Sequence, residues 1–171
     1  MTTNLPQVKF RAIEPEDLDL LYRIENDRKL WNVGTSNVPY SRYALHDYVA
    51  HASSDIYTDR QVRMIIETTE GENVGIVDLV DFDPSNRRAE VGLIILDAFR
   101  RRGYGRSTLA KIADYALDVL HLHQLIAYVD LRNEASFHLF KTMGYQESVR
   151  IKDWLYDGRE YHDAVMMQLV F

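Results

Sequence analysis

The sequence of 171 residues contains no cysteine. That absence excludes disulfide bonds, thiolate catalysis and zinc sites built from cysteine, and it makes the cytoplasm the expected compartment. The sequence also lacks any apolar run close to the roughly 18 residues that span a bilayer. Its first residues, MTTNLP, lack the basic and then apolar segments of a secretion signal. We therefore expect neither export nor membrane association.

Positive charge is in the minority. The sequence has 20 Lys and Arg residues against 26 Asp and Glu residues, which gives a formal net charge of −6. A negative surface repels phosphate backbones and attracts cations, so the charge predicts a cationic small-molecule partner and no nucleic acid. No internal repeat and no linker rich in Pro, Gly or Ser interrupts the chain. Residues 1–171 are therefore predicted to form one domain, with assembly into a homo-oligomer left open.

Hydrophobic periodicity predicts a mixed α/β architecture of the α+β type. Apolar runs indicate about seven strands, at residues 8–13, 62–68, 74–81, 88–95, 125–130, 146–156 and 160–169. Helical spacing and helix-end signals indicate about four helices, at residues 15–25, 41–52, 109–120 and 134–142. This order gives a largely antiparallel sheet, because it lacks the strict alternation of strand and helix that builds a doubly wound nucleotide fold.

The segment RRRGYGRS at residues 100–107 lies between the apolar fourth strand and the third helix. Gly103 and Gly105 allow the backbone to approach a ligand closely, and the start of a helix offers unpaired N–H groups. Four arginines surround these donors. The pattern predicts a pyrophosphate site, although a basic glycine turn by itself is more often a solvated loop. Thr108 stands where a dinucleotide motif needs its third glycine, and no Gly-Lys-Ser/Thr triplet follows, so a Rossmann site and a P-loop are excluded.

This turn, with its arginine-x-x-glycine-x-glycine pattern, resembles the acetyl-CoA motif of the GNAT superfamily of N-acetyltransferases. The stretch RRAEVG at residues 87–92 and the stretch NEASFHLFKTMGY at residues 133–145 are similar to two further segments of that superfamily. The ending at residues 152–163 is similar to the branch that contains ribosomal-protein N-terminal acetyltransferases and spermidine acetyltransferases. The resemblance implies a single domain with its sheet split between the fourth and fifth strands, where acetyl-CoA lies.

The resemblance also implies catalytic roles. Backbone N–H groups near Leu93 and Ile95 are expected to polarise the thioester, while a carboxylate takes a proton from the amine. Glu90 matches one position of such a base, although a surface glutamate at a strand end explains it equally well. Asp153 matches another position, across a one-residue gap in the alignment. Ser136 matches a serine that protonates the departing thiolate in the ribosomal-protein branch, although a hydroxyl that bonds its own helix backbone is the more ordinary explanation.

The sequence departs from the superfamily at Phe140, where tyrosine is commonly the general acid. A phenyl ring donates no proton. Three alternatives remain: water protonates the thiolate, another hydroxyl group does so, or the enzyme is weak. Asn133 is expected to cap its helix and to reach the pantetheine arm of acetyl-CoA. The residues expected to contact acetyl-CoA belong to the fourth strand, the basic turn and the fourth helix: Leu93, Ile95, Arg100, Arg101, Arg102, Gly103, Tyr104, Gly105, Arg106, Asn133 and Phe140.

The acceptor side of the site is expected in the first 60 residues. Glu25 and Asp27 are candidate ligands of an ammonium group and Trp31 is a candidate pocket residue, although solvated charges and packing aromatics are the ordinary explanation. No metal is expected, because the histidines lack a closed ligand spacing. The leading hypothesis is acetylation of a small polyamine or diamine such as spermidine. The alternatives are acetylation of a protein N-terminus or of another small amine, and, from a different class, a non-catalytic acetyl-CoA-binding regulatory module.

Overall fold

A computed structural model describes residues 4–30, 38–53 and 55–171. Within these ranges, seven strands form one sheet in the order β1-β2-β3-β4-β5-β7-β6. The strands are β1 (Lys9–Ala12), β2 (Val62–Glu67), β3 (Asn73–Asp83), β4 (Arg88–Ile95), β5 (Gln124–Asp130), β6 (Gln146–Tyr156) and β7 (Tyr161–Val170). The helices are α1 (Leu18–Glu25), α2 (Arg42–His51), α3 (Ile56–Asp59), α4 (Tyr104–Asp114) and α5 (Glu134–Thr142). The α+β class and the seven strands are confirmed.

Pairing in the sheet is antiparallel except between β4 and β5, which run parallel. The core lies on both faces. On one face, Leu109 and Ile112 of α4 pack with Leu125 of β5 in a large apolar cluster. On the other face, Leu20 and Ile24 of α1 cover the central strands β2 and β3 in a second cluster. In β4, Ala89 and Val91 are buried, and the apolar residues that follow them are half-buried.

Three of the helices begin at a capping side chain or just after a proline. Pro15 starts a 3-10 turn that continues into α1. The Ser41 hydroxyl accepts the N–H of Ala44 at the start of α2. The Asn133 side chain does the same for Ser136 at the start of α5. These caps agree with the helix starts that the sequence predicts.

Two local features differ from the sequence-based expectation. The short helix α3 was not predicted, because a single turn held by the Asp55 cap is too short to show a period. The predicted helix at residues 109–120 leaves α geometry at Tyr115 and ends in a π-turn, Tyr115–Val119. An extra residue in a turn rotates the apolar stripe, so Leu117 is exposed while Leu120 is buried.

The β3–β4 ladder generates a stability prediction at Gly75. A Cβ added there would lie 1.9 Å from the carbonyl oxygen of Ile94, so Gly75→Ala must push the two strands apart. We expect a loss of unfolding free energy of about 3 kcal/mol or more, measured by urea denaturation. Gly92→Ala in β4 is the matched control, because its Cβ would meet Asp78 at an ordinary 3.6 Å. Equal stability of the two variants would contradict the register of this ladder.

Candidate active site

The central feature of the site is the point where β4 and β5 separate. The two parallel strands pair at three positions, the last of which joins Glu90 to Ile126. Beyond that pair β4 continues to Ile95 against β3, and β5 continues to Asp130 against β7. Strand geometry directs alternate backbone N–H and C=O groups of β4 into the opening, away from β3. The separation therefore forms a cleft with backbone donors along one wall, which includes the segment of Leu93 and Ile95.

The start of α4 lies where β4 leads into the next element. Gly103 adopts a left-handed φ of 88° at the N-cap, and in the described chain no side chain caps this helix. Its first amides and the positive end of its dipole are therefore available to an anion. The Tyr104 ring is buried against Phe99, so this residue can offer a ligand only its backbone amide.

The arginines of the turn are held in several ways. The Arg100 side chain donates to the Ile95 carbonyl at 2.9 Å and pairs with Asp97 at 3.0 Å. Arg102 donates to the Ala98 carbonyl and lies over the Phe99 ring. Arg101 and Arg106 are exposed, and Arg101 has a left-handed φ of 59°. All four remain at the surface of the turn, so they contribute positive charge around the uncapped helix start.

The two glycines of the turn have neighbours within the protein itself. A Cβ on Gly103 would lie 2.9 Å from Cδ of Pro6, in the segment before β1. A Cβ on Gly105 would lie 3.1 Å from Leu139 of α5 and 3.9 Å from Leu93. Gly105 thus permits α4 and α5 to pack closely behind the cleft. The sequence suggests that these glycines allow the backbone to approach a ligand, and it indicates neither the contact with Pro6 nor the contact with Leu139.

Glu90 lies at the last β4–β5 pair, at the base of the cleft. Burial is the first cause that raises the pKa of its carboxyl to about 7, and the negative charge of Asp81 is the second. Asp81 lies in an irregular stretch of β3 with a left-handed φ of 49°. A carboxylate with this pKa can exchange a proton near neutral pH, which is what a general base requires.

On α5, Asn133 has the capping role that the sequence predicts, with its side-chain oxygen 3.0 Å from the Ser136 N–H. The half-buried Ser136 has no hydrogen bond from its hydroxyl among the described residues, so that group can interact with a ligand. Phe140 is buried and meets the Tyr145 ring edge-on, with ring centroids 5.0 Å apart. The Phe140 ring is thus part of the core behind the cleft.

Asp153 does not join Glu90. It lies in a bulge of β6, where its φ is 51°, its side chain is exposed and its backbone N–H donates to Asp163 at 2.9 Å. Three strand spacings separate β6 from β4, which is at least roughly 14 Å. Glu90 and Asp153 therefore do not act at one centre in this arrangement, and the role of Asp153 as a base stays a prediction. Asp153 was matched by sequence similarity alone, and the sequence does not indicate the bulge in β6.

The structure shows which partners two of the predicted acceptor residues have within the protein. Glu25 pairs with Arg63, which binds Asp78 at 2.8 and 2.9 Å through two nitrogens. Glu25 thus shares Arg63 with Asp78, and its role as a ligand of an ammonium group stays a prediction. Asp27 accepts the N–H of Lys29 in a surface turn. Trp31 lies outside the described residues.

Sequence reasoning missed Asp78 and Arg63. A Cβ on Gly92 would lie 3.6 Å from the Asp78 Cβ and 3.8 Å from its Oδ2, so this carboxylate lies beside the wall of the cleft. The alternation of charged and apolar residues in β2 and β3 places Arg63 and Asp78 on one face of the sheet, but their partnership depends on strand register.

One cluster has the residue types of a metal site. Ligand atoms of Asp157, Glu160 and His162 lie within 4.8 Å of one another. The Asp157 carboxylate already accepts the backbone N–H groups of Arg159 and Glu160 and lies 2.7 Å from His162. These bonds keep the pKa of Asp157 well below its ordinary value. They also account for the cluster, because they hold the turn between β6 and β7 together. None of the helices in the described ranges is long and apolar enough to span a membrane.

Comparison with known proteins identifies a family that matches this sequence. Residues 7–146 match the acetyltransferase (GNAT) domain family. A spermidine N(1)-acetyltransferase of Escherichia coli (strain K12) is 26% identical over 164 residues, which cover 94% of this chain and 84% of that protein. YdaF of Bacillus subtilis (strain 168), provisionally named a ribosomal N-acetyltransferase, is 26% identical over 167 residues, covering 95% and 91%. Spermidine N-acetyltransferase from Vibrio cholerae, solved with CoA and spermine, has a TM-score of 0.86 at 24% identity and covers 96% of this chain and 95% of that chain.

The raised pKa of Glu90 predicts a pH-dependent stability. An ordinary glutamate loses its proton near pH 4.5, whereas Glu90 retains it up to about 7. Between these values the native state holds a proton that the unfolded chain has lost, so the free energy of unfolding falls as the pH rises. Glu90→Gln should remove that fall, and urea denaturation between pH 5 and 8 measures it. The exposed Glu147→Gln on β6 is the control and should keep the wild-type slope. Parallel curves for wild type and Glu90→Gln would show that the carboxyl titrates normally.

Proposed function

Since the chain belongs to the GNAT acetyltransferase family, we propose that it transfers the acetyl group of acetyl-CoA to a primary amine of a small polyamine such as spermidine. The observation that carries this proposal is the position of Glu90, a half-buried carboxyl with a raised pKa at the base of the cleft between β4 and β5. A group that accepts protons near neutral pH and lies beside free backbone donors suits amine acylation.

The cleft has the features needed to hold acetyl-CoA. The uncapped start of α4, with the surrounding Arg100, Arg101, Arg102 and Arg106, suits the pyrophosphate. Backbone groups of Leu93 to Ile95 that point into the cleft suit the pantetheine arm and the thioester oxygen. Asn133 and Ser136, at the start of α5, provide polar groups near the end of β5.

The proposed reaction begins with a protonated amine, because an alkylamine with a pKa near 10.4 is almost fully charged at pH 7. Glu90 accepts a proton from the amine, directly or through water. The amine nitrogen then forms a bond to the thioester carbon, the carbon–sulfur bond breaks, and the sulfur leaves with the electron pair. As the amide forms, the nitrogen releases its second proton to water. The thiolate takes up a proton relayed through the Ser136 hydroxyl or through water, since Phe140 has none to give, and one proton is released overall.

Two facts favour a polyamine as the acceptor. The Escherichia coli relative is named a spermidine N(1)-acetyltransferase and aligns over 94% of this chain. The net charge of −6 favours the approach of a polycation over that of a neutral or anionic acceptor. The name of YdaF supports acetylation of a protein N-terminus as the second candidate. A peptide acceptor is therefore the alternative to test directly.

Replacement of Gly103 tests the proposed CoA site. In Gly103→Val, the left-handed φ of 88° and the contact with Pro6 oppose a branched side chain, so the start of α4 must shift. We expect CoA affinity, measured by calorimetry, to fall at least about tenfold, because more than one hydrogen bond from the backbone N–H groups is lost. Gly71→Val is the matched control: its φ is 90°, no atom lies within 4 Å of its Cβ, and it lies in the turn between β2 and β3, outside the basic turn. Unchanged CoA affinity in Gly103→Val would remove the pyrophosphate assignment.

An amine panel tests the acceptor. Release of CoA is followed with spermidine, spermine, putrescine and a short peptide, and we expect kcat/KM to be highest for a polyamine. Glu90→Gln should lower kcat by about 100-fold or more, the usual loss on removal of a general base. In wild type, kcat/KM should rise with pH through about 7 as Glu90 ionises.

Three results would contradict parts of this proposal. A peptide that exceeds every polyamine in kcat/KM establishes the N-terminal alternative. Binding of CoA without turnover of any amine favours a regulatory module. Full activity of Glu90→Gln assigns proton removal to another group.

A further inference from the structure

The face of the sheet opposite α4 and α5 carries an aromatic pair beside the cleft. Tyr128 of β5 and Trp154 of β6 are stacked, with ring centroids 5.9 Å apart and an interplanar angle of 28°. Their exposed fractions are 36% and 54%. Two large rings that pack on each other and remain this accessible form a surface to which a ligand can bind, and neither has a role in the acetyl transfer described above.

The strand register places Tyr128 across the cleft from Gly92. Glu90 pairs with Ile126, and the next residues on the same faces of the two parallel strands are Gly92 and Tyr128. Ala127 and Val129, the neighbours of Tyr128 on β5, belong to the core shared with α4 and α5. Tyr128 therefore points to the opposite face, the face on which Glu90 lies.

A bulge in β6 accounts for the position of Trp154. The register between β6 and β7 shifts between Ile151 and Leu155, and Asp153 takes a left-handed φ of 51° within that stretch. The Asp163 carboxylate holds the bulge by accepting the Asp153 N–H at 2.9 Å. A bulge changes the direction of the next side chain, and here it allows the indole of Trp154 to reach Tyr128 across β7.

The opposite side of the cleft is acidic and open. Gly92 has no side chain, and the Asp78 carboxylate lies beside the space that a Cβ would fill. Arg63 fixes Asp78 through two nitrogens, while Glu90 lies one step earlier on β4. An amine that approaches the middle of β4 from this face has carboxylates on one side and aromatic rings on the other.

We infer that the Tyr128–Trp154 stack binds the cationic acceptor, by holding a second ammonium group or its adjoining methylenes against the indole face. This inference rests on the proposed acetyl transfer to a polyamine. An ammonium group is attracted to the face of an aromatic ring, and tryptophan is the strongest partner of this kind. The stack thereby distinguishes an acceptor with a second positive charge from a simple amine, while Glu90 acts on the reacting nitrogen.

The experiment compares variants at Trp154 with a matched aromatic pair on the same hairpin. Tyr156 and Tyr161 have ring centroids 4.9 Å apart and are 54% and 63% exposed. They pair with each other, one position beyond the pair of Leu155 and His162, so their side chains lie on the other face of the sheet. In full-length protein with spermidine, Trp154→Ala and Trp154→Leu should raise KM about five- to tenfold and change kcat less than about twofold, as expected for loss of a cation–π contact. Trp154→Phe should keep KM within about twofold of wild type, because it retains an aromatic face. Tyr161→Ala should leave KM unchanged.

Light scattering on each variant separates this role from a contact between subunits. A KM effect at unchanged particle mass, with rescue by phenylalanine, supports the inference. A KM in Trp154→Ala equal to that in Tyr161→Ala overturns it while the acetyl transfer stands. Loss of mass together with the rise in KM also overturns it, in favour of a subunit contact. Absence of turnover by wild type on every amine overturns the proposed function and this inference with it.

Discussion

The separation of β4 and β5 is the constraint on which the site depends. Each strand pairs along its full length with its antiparallel neighbour, yet the two pair with each other at only three positions. The backbone groups beyond Glu90 on the facing edges consequently lack strand partners and need a ligand or water. Close packing of α4 on α5, which Gly105 permits, covers one side of the opening. The opposite face remains accessible, so a cofactor and an acceptor can reach the same stretch of β4 from different directions.

The charges around this opening have different roles because their neighbours differ. Arg63 forms ion pairs with both Glu25 and Asp78. Within the described ranges Glu90 pairs with no cation, and both burial and Asp81 raise its pKa. One face of the sheet thus holds two carboxyl groups paired with Arg63 together with Glu90, whose pKa is raised to about 7. This division suits the capture of a cation and the removal of its proton at adjacent positions.

The parts of this arrangement that the sequence predicts are those encoded by adjacent residues. The turn at residues 100–107, the cap at Asn133 and the apolar run of β4 each follow from local chemistry, and the seven strands follow from the two-residue period. The pairing of Glu25 with Arg63 joins residues 38 positions apart and depends on where α1 lies on the sheet. The positions of Asp153 and Trp154 relative to the cleft could not be predicted for a related reason. The bulge that exposes one and directs the other toward Tyr128 is an irregularity in register, and an alternating pattern contains no sign of it.

The phenylalanine at position 140 is compatible with a complete proton cycle in the proposed reaction. Its ring fills the core against Tyr145, whose hydroxyl is buried without a partner in the described chain and whose pKa is raised by burial. A dedicated acid at position 140 is dispensable if the proton that Glu90 accepts can return to the sulfur. A thiol has a pKa near 8.5, above the value of about 7 for Glu90, so transfer from the glutamic acid to the thiolate through water is downhill. In the proposed reaction, the raised pKa of Glu90 thus suits both the acceptance of the first proton and its return at the end of the cycle.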